Sequence, residues 1–274
     1  MYSDILPYLR CPACHLPLTL QHIHTADDDE IVGGDLGCAG CGEHYPVRDG
    51  IADFLGPARP PTPAQLTNEL PLAAWAYERG WRPFALTLLS GESFSYRREL
   101  PLITGLIEPR RGGLYLDLAC SNGLYARALA RTLGGATGHV AGIDHSLPML
   151  KQARRFAHEA GLRISYVRAK AQALPVVAHA AAGVVIGGSL NEIGDLDACL
   201  AEVRRTLAAD GRYLAMTLAR AATPAGRAVQ LLLGTGGIAF LTPEELARAF
   251  SQHGLWMVAR WKYGLVMFDL ALPI

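Results

Sequence analysis

The sequence predicts an α/β protein: a mostly parallel sheet with helices on both faces, carrying a small cysteine-bearing module at its N-terminus. Three observations predict it. From Gly113 onward, short apolar segments alternate with amphipathic ones, as a parallel sheet covered on both faces requires. Two acidic residues, Asp117 and Asp144, close or nearly close the first two apolar segments, and turns of small residues follow them. Four of the six cysteines come as two Cys-x-x-Cys pairs, Cys11/Cys14 and Cys38/Cys41.

The 274 residues, 50% of them hydrophobic, suffice for one sizeable domain plus a small accessory module. No apolar run approaches the roughly 18 to 20 residues that cross a bilayer, and no basic-then-apolar leader opens the chain. The expectation is a soluble, cytoplasmic protein without a membrane span. Lys+Arg and Asp+Glu balance at 25 each, yet residues 1–60 hold three basic against nine acidic side chains. An acidic module is a poor reader of a phosphate backbone, which disfavours nucleic acid as a partner without removing it.

In the module, Leu16 to Ile23 and Glu30 to Leu36 read as strands joined by the acidic turn Asp27, Asp28, Asp29. Two knuckles at hairpin tips complete the tetrahedron that Zn²⁺ prefers, so Cys11, Cys14, Cys38 and Cys41 are the expected metal ligands of a zinc ribbon. Four thiolates leave no open position, which makes the zinc structural. Disulfides or a redox pair fit less well, because neither a secretory leader nor a thioredoxin-like strand and helix surrounds the motif. A module this small needs the metal for much of its stability. His15, His22, His24 and His44 read as surface residues. Gly56 to Pro63, with four prolines, reads as a semi-rigid linker. The expected division is 1–57 zinc ribbon, 58–105 linker and helical cap, and 106–274 catalytic domain.

In the core, Leu114 to Leu118 is the first strand and Ala119 to Gly123 turns into a helix that runs to about Leu133. Val140 to Asp144 follows, then a helix from Ser146 to about Ala160. Ile164 to Arg168, Gly183 to Gly187 and Arg212 to Leu218 supply three more strands. Thr242, Pro243, Glu244, Glu245 carries an N-cap, an N1 proline and an N3 carboxylate, and its helix runs to about His253. Trp256 to Trp261 and Val266 to Ala271 form an antiparallel pair turned at Tyr263 and Gly264.

With these elements placed, the chain from about Gly105 onward resembles the class I S-adenosylmethionine-dependent methyltransferases of the small-molecule, methyltransferase type 11-like kind. Four stretches carry the resemblance: Leu116 to Gly123, Gly142 to Ser146, Val167 to Pro175 and Val184 to Glu192. It implies a Rossmann-like sheet of seven strands and S-adenosylmethionine as cofactor. The implied cofactor residues are Asp117, Ala119, Cys120, Ser121, Asn122 and Gly123 on the first loop and Asp144, His145 and Met149 after the second strand. Lys170, Ala171 and Gln172 after the third strand and Gly187 and Ser189 after the fourth complete the set. Physically, the small loop residues admit the methionine part, and Asp144 accepts hydrogen bonds from the ribose hydroxyls. Three positions depart from the family: Ala119 and Ser121 replace glycines, Lys170 stands where Asp is usual, and Gly183 replaces an acidic residue. Ala119 and Ser121 keep the loop provided neither needs a positive φ angle. Lys170 cannot accept an adenine amino hydrogen, a role left to the Ala171 backbone or the Gln172 carbonyl. Tyr45 to Ile51 resembles the close of the zinc ribbon in the rRNA guanine methyltransferase family.

A nicotinamide dehydrogenase is the rival for such a sheet, but Gly-x-Gly-x-x-Gly is absent from the first loop. Trp75, Tyr77, Trp81, Phe84, Phe94 and Tyr96 concentrate before the core, either as packing or as a lid over the cleft. Residues 219–240, apolar and carrying Gly234, Gly236 and Gly237, read as a second, mobile cap. Together the caps predict an apolar or aromatic small-molecule acceptor, positioned for in-line displacement. Glu192 and His145 are the cleft-edge candidates for a base, and no catalytic residue is assigned. Two other functions fit the sequence: an rRNA or tRNA base methyltransferase reading RNA through the ribbon, and a degenerate, non-catalytic domain that binds a cofactor or partner.

Overall fold

The computed structural model describes residues 1–26, 29–56 and 82–274. Four strands build the N-terminal module: β1 (Leu18–Thr25), β2 (Ile31–Cys38), β3 (His44–Arg48) and β4 (Ile51–Asp53). Two cap helices follow, α1 (Arg82–Ser90) and α2 (Tyr96–Ile107). The core then runs β5 (Gly113–Leu118), α3 (Leu124–Leu133), β6 (Gly138–Asp144), α4 (Leu147–Glu159), β7 (Ser165–Arg168) and β8 (Ala181–Gly187). It ends with α5 (Leu196–Thr206), β9 (Leu207–Leu218), α6 (Pro224–Gly234), α7 (Pro243–Gln252), β10 (Leu255–Tyr263) and β11 (Val266–Pro273).

The seven expected core strands are all present, in the order β7-β6-β5-β8-β9-β11-β10, but the sheet does not stop there. The module's strands extend it to eleven, in the order β1-β2-β3-β4-β7-β6-β5-β8-β9-β11-β10. The junction is a parallel pairing of Ile51, Ala52 and Asp53 with Tyr166, Val167 and Arg168. Ile51 and Ala52 are fully buried there, so the ribbon is joined to the core through the sheet. No periodicity announces this pairing, because three residues are too few to show one.

Two apolar layers cover the two faces. One side gathers Leu114, Leu116 and Leu118 of β5 with Cys199, Leu200 and Val203 of α5 and with Leu246 and Phe250 of α7. The other gathers Tyr115 with Ile103 and Ile107 of α2, Leu129 of α3 and Leu150 and Ala153 of α4. The alternation along β5 is the period-2 signature of a strand buried on both faces. Gly183 has its explanation here: a Cβ at that position would meet the Tyr115 ring at 2.7 Å and Ile107 at 2.9 Å. The aromatic ring occupies the room an acidic side chain would need.

Several boundaries move. The module strands begin one or two residues later than expected and reach Thr25 and Cys38. β9 begins at Leu207, five residues before the expected Arg212, because its first residues run on directly from α5. Residues 224–234, read as mobile from the glycines that follow, form the regular helix α6 with a Thr223 N-cap accepting from Gly226 N–H. Trp75, Tyr77 and Trp81 lie outside the described residues. Of the other cap aromatics, Phe94 is buried and stacks on Phe268 with centroids 5.8 Å apart, so it is core, while Phe84 is exposed.

Candidate functional site

The first loop is held open by its own backbone. Ala119 and Ser121 both have φ of 50°, and Gly123 has φ of 74°. The two residues that replace family glycines therefore sit in the left-handed region that disfavours a Cβ. The condition set for keeping the loop is not met, and its geometry persists with strain. At Gly123 a side chain is excluded outright, because a Cβ would lie 2.8 Å from the Tyr166 hydroxyl and 3.1 Å from Ala153.

Two buried carboxylates flank this loop. Asp117 accepts a 2.7 Å hydrogen bond from the Ala126 N–H, tying the end of β5 to the first turn of α3. Burial pushes its carboxyl up to about 7, the neighbouring Asp144 adds to this, and Ala126 N–H and Arg127 oppose it. Asp144 accepts from Ser121 N–H with one oxygen and from Ser146 N–H with the other, both at 2.8 Å. Each acid thus caps local backbone, and each Asp144 oxygen retains acceptor capacity for a further donor.

A cleft opens at the C-terminal edge of the sheet between β5 and β8, where the strand order reverses. Asp117, Ala119, Cys120, Ser121, Asn122, Gly187 and Ser189 line it, as do Arg82, Leu124 and Tyr125. Of the other implied residues, Met149 reaches the loop through Sδ, 3.5 Å from the Ser121 hydroxyl. Lys170 is exposed, Ala171 is buried, and Gln172 donates its amide to the Ile193 carbonyl at 2.6 Å. Lys170, Ala171 and Gln172 do not line the cleft, nor do Gly123, Asp144, His145 and Met149. Cys120 packs towards β6, since a Cβ at Gly142 would lie 3.0 Å from its Sγ.

Sequence reasoning missed the cleft's polar wall. Arg82 makes a bidentate pair with the fully buried Glu99, at 2.7 and 2.6 Å, and donates to the Tyr125 hydroxyl at 2.9 Å. Tyr125 in turn donates to Glu99, and Arg82 lies over the Tyr96 and Tyr125 rings. The signal was present as a lone acid in an apolar helix: Glu99 falls on the same face of α2 as Ile103 and Ile107. The Glu192 carboxyl is pushed up by desolvation although the residue is exposed, and His145 draws it back. The two cleft-edge candidates are therefore neighbours.

In the module the four sulfurs of Cys11, Cys14, Cys38 and Cys41 lie within 4.8 Å of one another. Cys11 and Cys41 are 3.5 Å apart and Cys14 and Cys38 3.4 Å. A Zn–S bond of about 2.3 Å places tetrahedral sulfurs at about 3.8 Å, so the donor set fits Zn²⁺. Desolvation raises the Cys11 thiol, but the Tyr45 hydroxyl and the Cys14 and Ala13 N–H groups together bring it down to about 6. The Glu43 N–H favours the Cys41 thiolate, yet desolvation and the three other sulfurs push it up to about 12. Four thiolates this close need a dication to coexist. The zinc is structural, with all four positions taken by protein.

Residues 116–211 match the methyltransferase-domain family, over the strands and loops that build the cleft. This stretch carries a methyltransferase domain. Residues 3–50 match the Trm112p-like protein family, in agreement with a metal-binding ribbon. The chain is similar to an uncharacterized chloroplastic methyltransferase of Arabidopsis thaliana, at 27% identity over 77% of this chain and 61% of the relative. It is also similar to the demethylmenaquinone methyltransferase of Thermus thermophilus, at 37% identity over 37% of this chain and 45% of that one. The chain spans about three fifths of the length of the first of these relatives. Among solved structures, geranyl diphosphate C-methyltransferase from Streptomyces coelicolor shares the fold with TM-score 0.55 and 15% identity, covering 65% of this chain and 80% of that one. YcgJ from Bacillus subtilis does so with TM-score 0.54 and 21% identity, covering 61% and 72%. No helix among the described residues is long and apolar enough to cross a membrane.

Proposed function

We propose that the chain transfers a methyl group from S-adenosylmethionine to a small, apolar or aromatic acceptor. The observation that carries this reading is a pair of partnerless polar atoms in the segments that follow β5 and β6. Asn122 Nδ2 and His145 Nε2 are buried without a hydrogen-bond partner, one on the first loop and one after Asp144. A buried donor left unmade costs about 1–3 kcal/mol, so such atoms mark where a ligand supplies the missing partner. Asn122 suits the amino acid end of the cofactor, where loop N–H groups favour a carboxylate, and Asp144 with His145 suits the adenosine end.

When bound, S-adenosylmethionine supplies a sulfonium-activated methyl group. The chain's residues position and exclude water. Asp144 takes the ribose hydroxyls, the loop from Ala119 to Gly123 with Gly187 and Ser189 takes the methionine end, and Met149 supports Ser121. The loop Lys170, Ala171, Gln172 flanks the adenine. The Arg82, Glu99 and Tyr125 wall fixes the acceptor side, and holding the acceptor in line does most of the work. If a proton must leave, Glu192 is the group whose raised affinity for protons suits it.

The acceptor class rests on the apolar surface of the two caps. Val229, Leu231 and Leu232 of α6 and Phe84 and Leu88 of α1 are exposed apolar residues. Relatives whose names concern demethylmenaquinone and ubiquinone biosynthesis agree with an apolar acceptor. Calorimetry with S-adenosylhomocysteine on zinc-loaded protein tests the cofactor assignment, and a folded sample that binds none would overturn it. RNA binding that falls steeply with salt would move the acceptor from small molecule to nucleic acid.

A further inference from the structure

Building on the proposed cofactor site, we infer that the zinc ribbon sets the cofactor's binding affinity, with Arg168 as the positioning residue that transmits it. The path begins at the metal. The Tyr45 hydroxyl lies 3.3 Å from Cys11 Sγ, the distance of a hydroxyl donating to a thiolate. The Tyr45 ring packs on Phe54, with centroids 4.7 Å apart. Phe54 follows the last residue of β4, and its N–H donates to the Arg168 carbonyl at 2.9 Å.

Arg168 is where ribbon and cofactor site meet. Its Nη1 donates to Asp53 at 2.9 Å and to the Gly56 carbonyl at 2.7 Å, both on the ribbon side. Its Nε donates to the His145 carbonyl at 3.0 Å, on the loop that carries Asp144. The guanidinium is a planar fork, so fixing one edge against Asp53 aims the other. Asp53 is itself fixed, its second oxygen accepting from Leu55 and Gly56 N–H at 2.9 and 3.2 Å. One side chain, nine-tenths buried, thus joins two segments that lie about ninety residues apart in sequence.

A second, independent connection leaves the same knuckle. Arg10 N–H, one residue before Cys11, donates to the Pro175 carbonyl at 3.0 Å, and Val177 N–H donates to the Tyr8 carbonyl at 2.8 Å. Pro175 to Val177 continue the loop of Lys170, Ala171 and Gln172. The knuckle therefore braces both loops that flank the adenosine end, and neither brace touches the methionine end. Coupling between two such sites is reciprocal and falls in the range of roughly 5- to 150-fold.

The test compares S-adenosylhomocysteine affinity by calorimetry in zinc-loaded and chelator-stripped full-length protein, and zinc affinity by competition with and without that ligand. Removing zinc is expected to weaken the ligand at least fivefold, and the ligand is expected to tighten zinc by the same factor. Because stripping can unfold the ribbon, the zinc-loaded variant Asp53→Asn is measured in parallel. Asp53→Asn is expected to weaken the ligand with zinc retained and to bring the zinc–ligand coupling towards one, with Asp53→Glu restoring part of it. Equal ligand affinity with and without zinc would overturn the inference, as would full coupling in Asp53→Asn. Absence of ligand binding by zinc-loaded wild type would instead overturn the cofactor reading on which it rests.

Discussion

Replacing Ala119 and Ser121 together by glycine is expected to stabilise the protein. Both residues hold φ of 50°, where an L side chain costs about 1–2 kcal/mol relative to glycine. Two opposing terms reduce the gain. Glycine's extra freedom in the unfolded chain returns about 0.4–1 kcal/mol at each position. Losing a half-buried methyl at Ala119 gives up about 0.4 kcal/mol, half of a fully buried methylene, and Ser121 gives up only a 3.5 Å contact with Met149 Sδ. The net for the pair is about 1 kcal/mol of added stability, or about 2–4 °C in Tm for a protein of this size. Urea denaturation measures it as a rise in the midpoint at constant slope. A double variant less stable than wild type at unchanged slope would show that the loop's side chains pack better than its backbone is strained.

Asp144→Ala removes the acceptor for two backbone N–H groups as well as the proposed ribose contact, so cofactor affinity is expected to fall at least tenfold and stability by about 1–3 kcal/mol. Calorimetry and urea unfolding read the two losses separately. Stripping zinc is expected to melt the ribbon before the core, visible as loss of amide protection in β1 to β3 while β5 and β8 stay protected. His139 is buried, and that burial, against the pull of Asp4, lowers its imidazole to about 4. Its folded value lies below the usual 6.5, so its contribution to stability is present above pH 6.5 and lost as pH falls through 4. In His139→Gln that part of the acid slope is expected to vanish from denaturation curves measured between pH 6.5 and 4.

What the sequence made legible was what a single segment can state. Strand ends at Asp117 and Asp144, a capping box at Thr242 and Glu245 and paired knuckles at Cys11 and Cys38 all announce themselves within a few residues, and the structure contains each of them. What it hid depends on residues far apart in the chain. Arg82, Glu99 and Tyr125 form one wall from three elements, and nothing near any of them reports the others. The left-handed φ at Ala119 was legible only through the glycine that the family places there, since alanine itself gives no outward sign of a conformation that glycine announces.

The ribbon's place in the sheet follows from a problem that the core cannot solve alone. In a sheet ending at β7, that strand would present a row of unpaired N–H and C=O groups, with Tyr166 and Val167 buried beside it. Exposed edges of this kind invite pairing with other chains. β4 covers it in parallel, and the open edge passes outward to β1. That strand is better made to face solvent. Gln21, His22 and His24 are exposed there, and the register with β2 is interrupted between Gln21 and His24 and again before Thr25. Irregular, polar edges resist further addition. The metal knuckles thus hold together a short polar sheet whose fourth strand protects the core, and this accounts for an acidic ribbon, poorly suited to a phosphate backbone, joined through its own sheet to a methyltransferase domain.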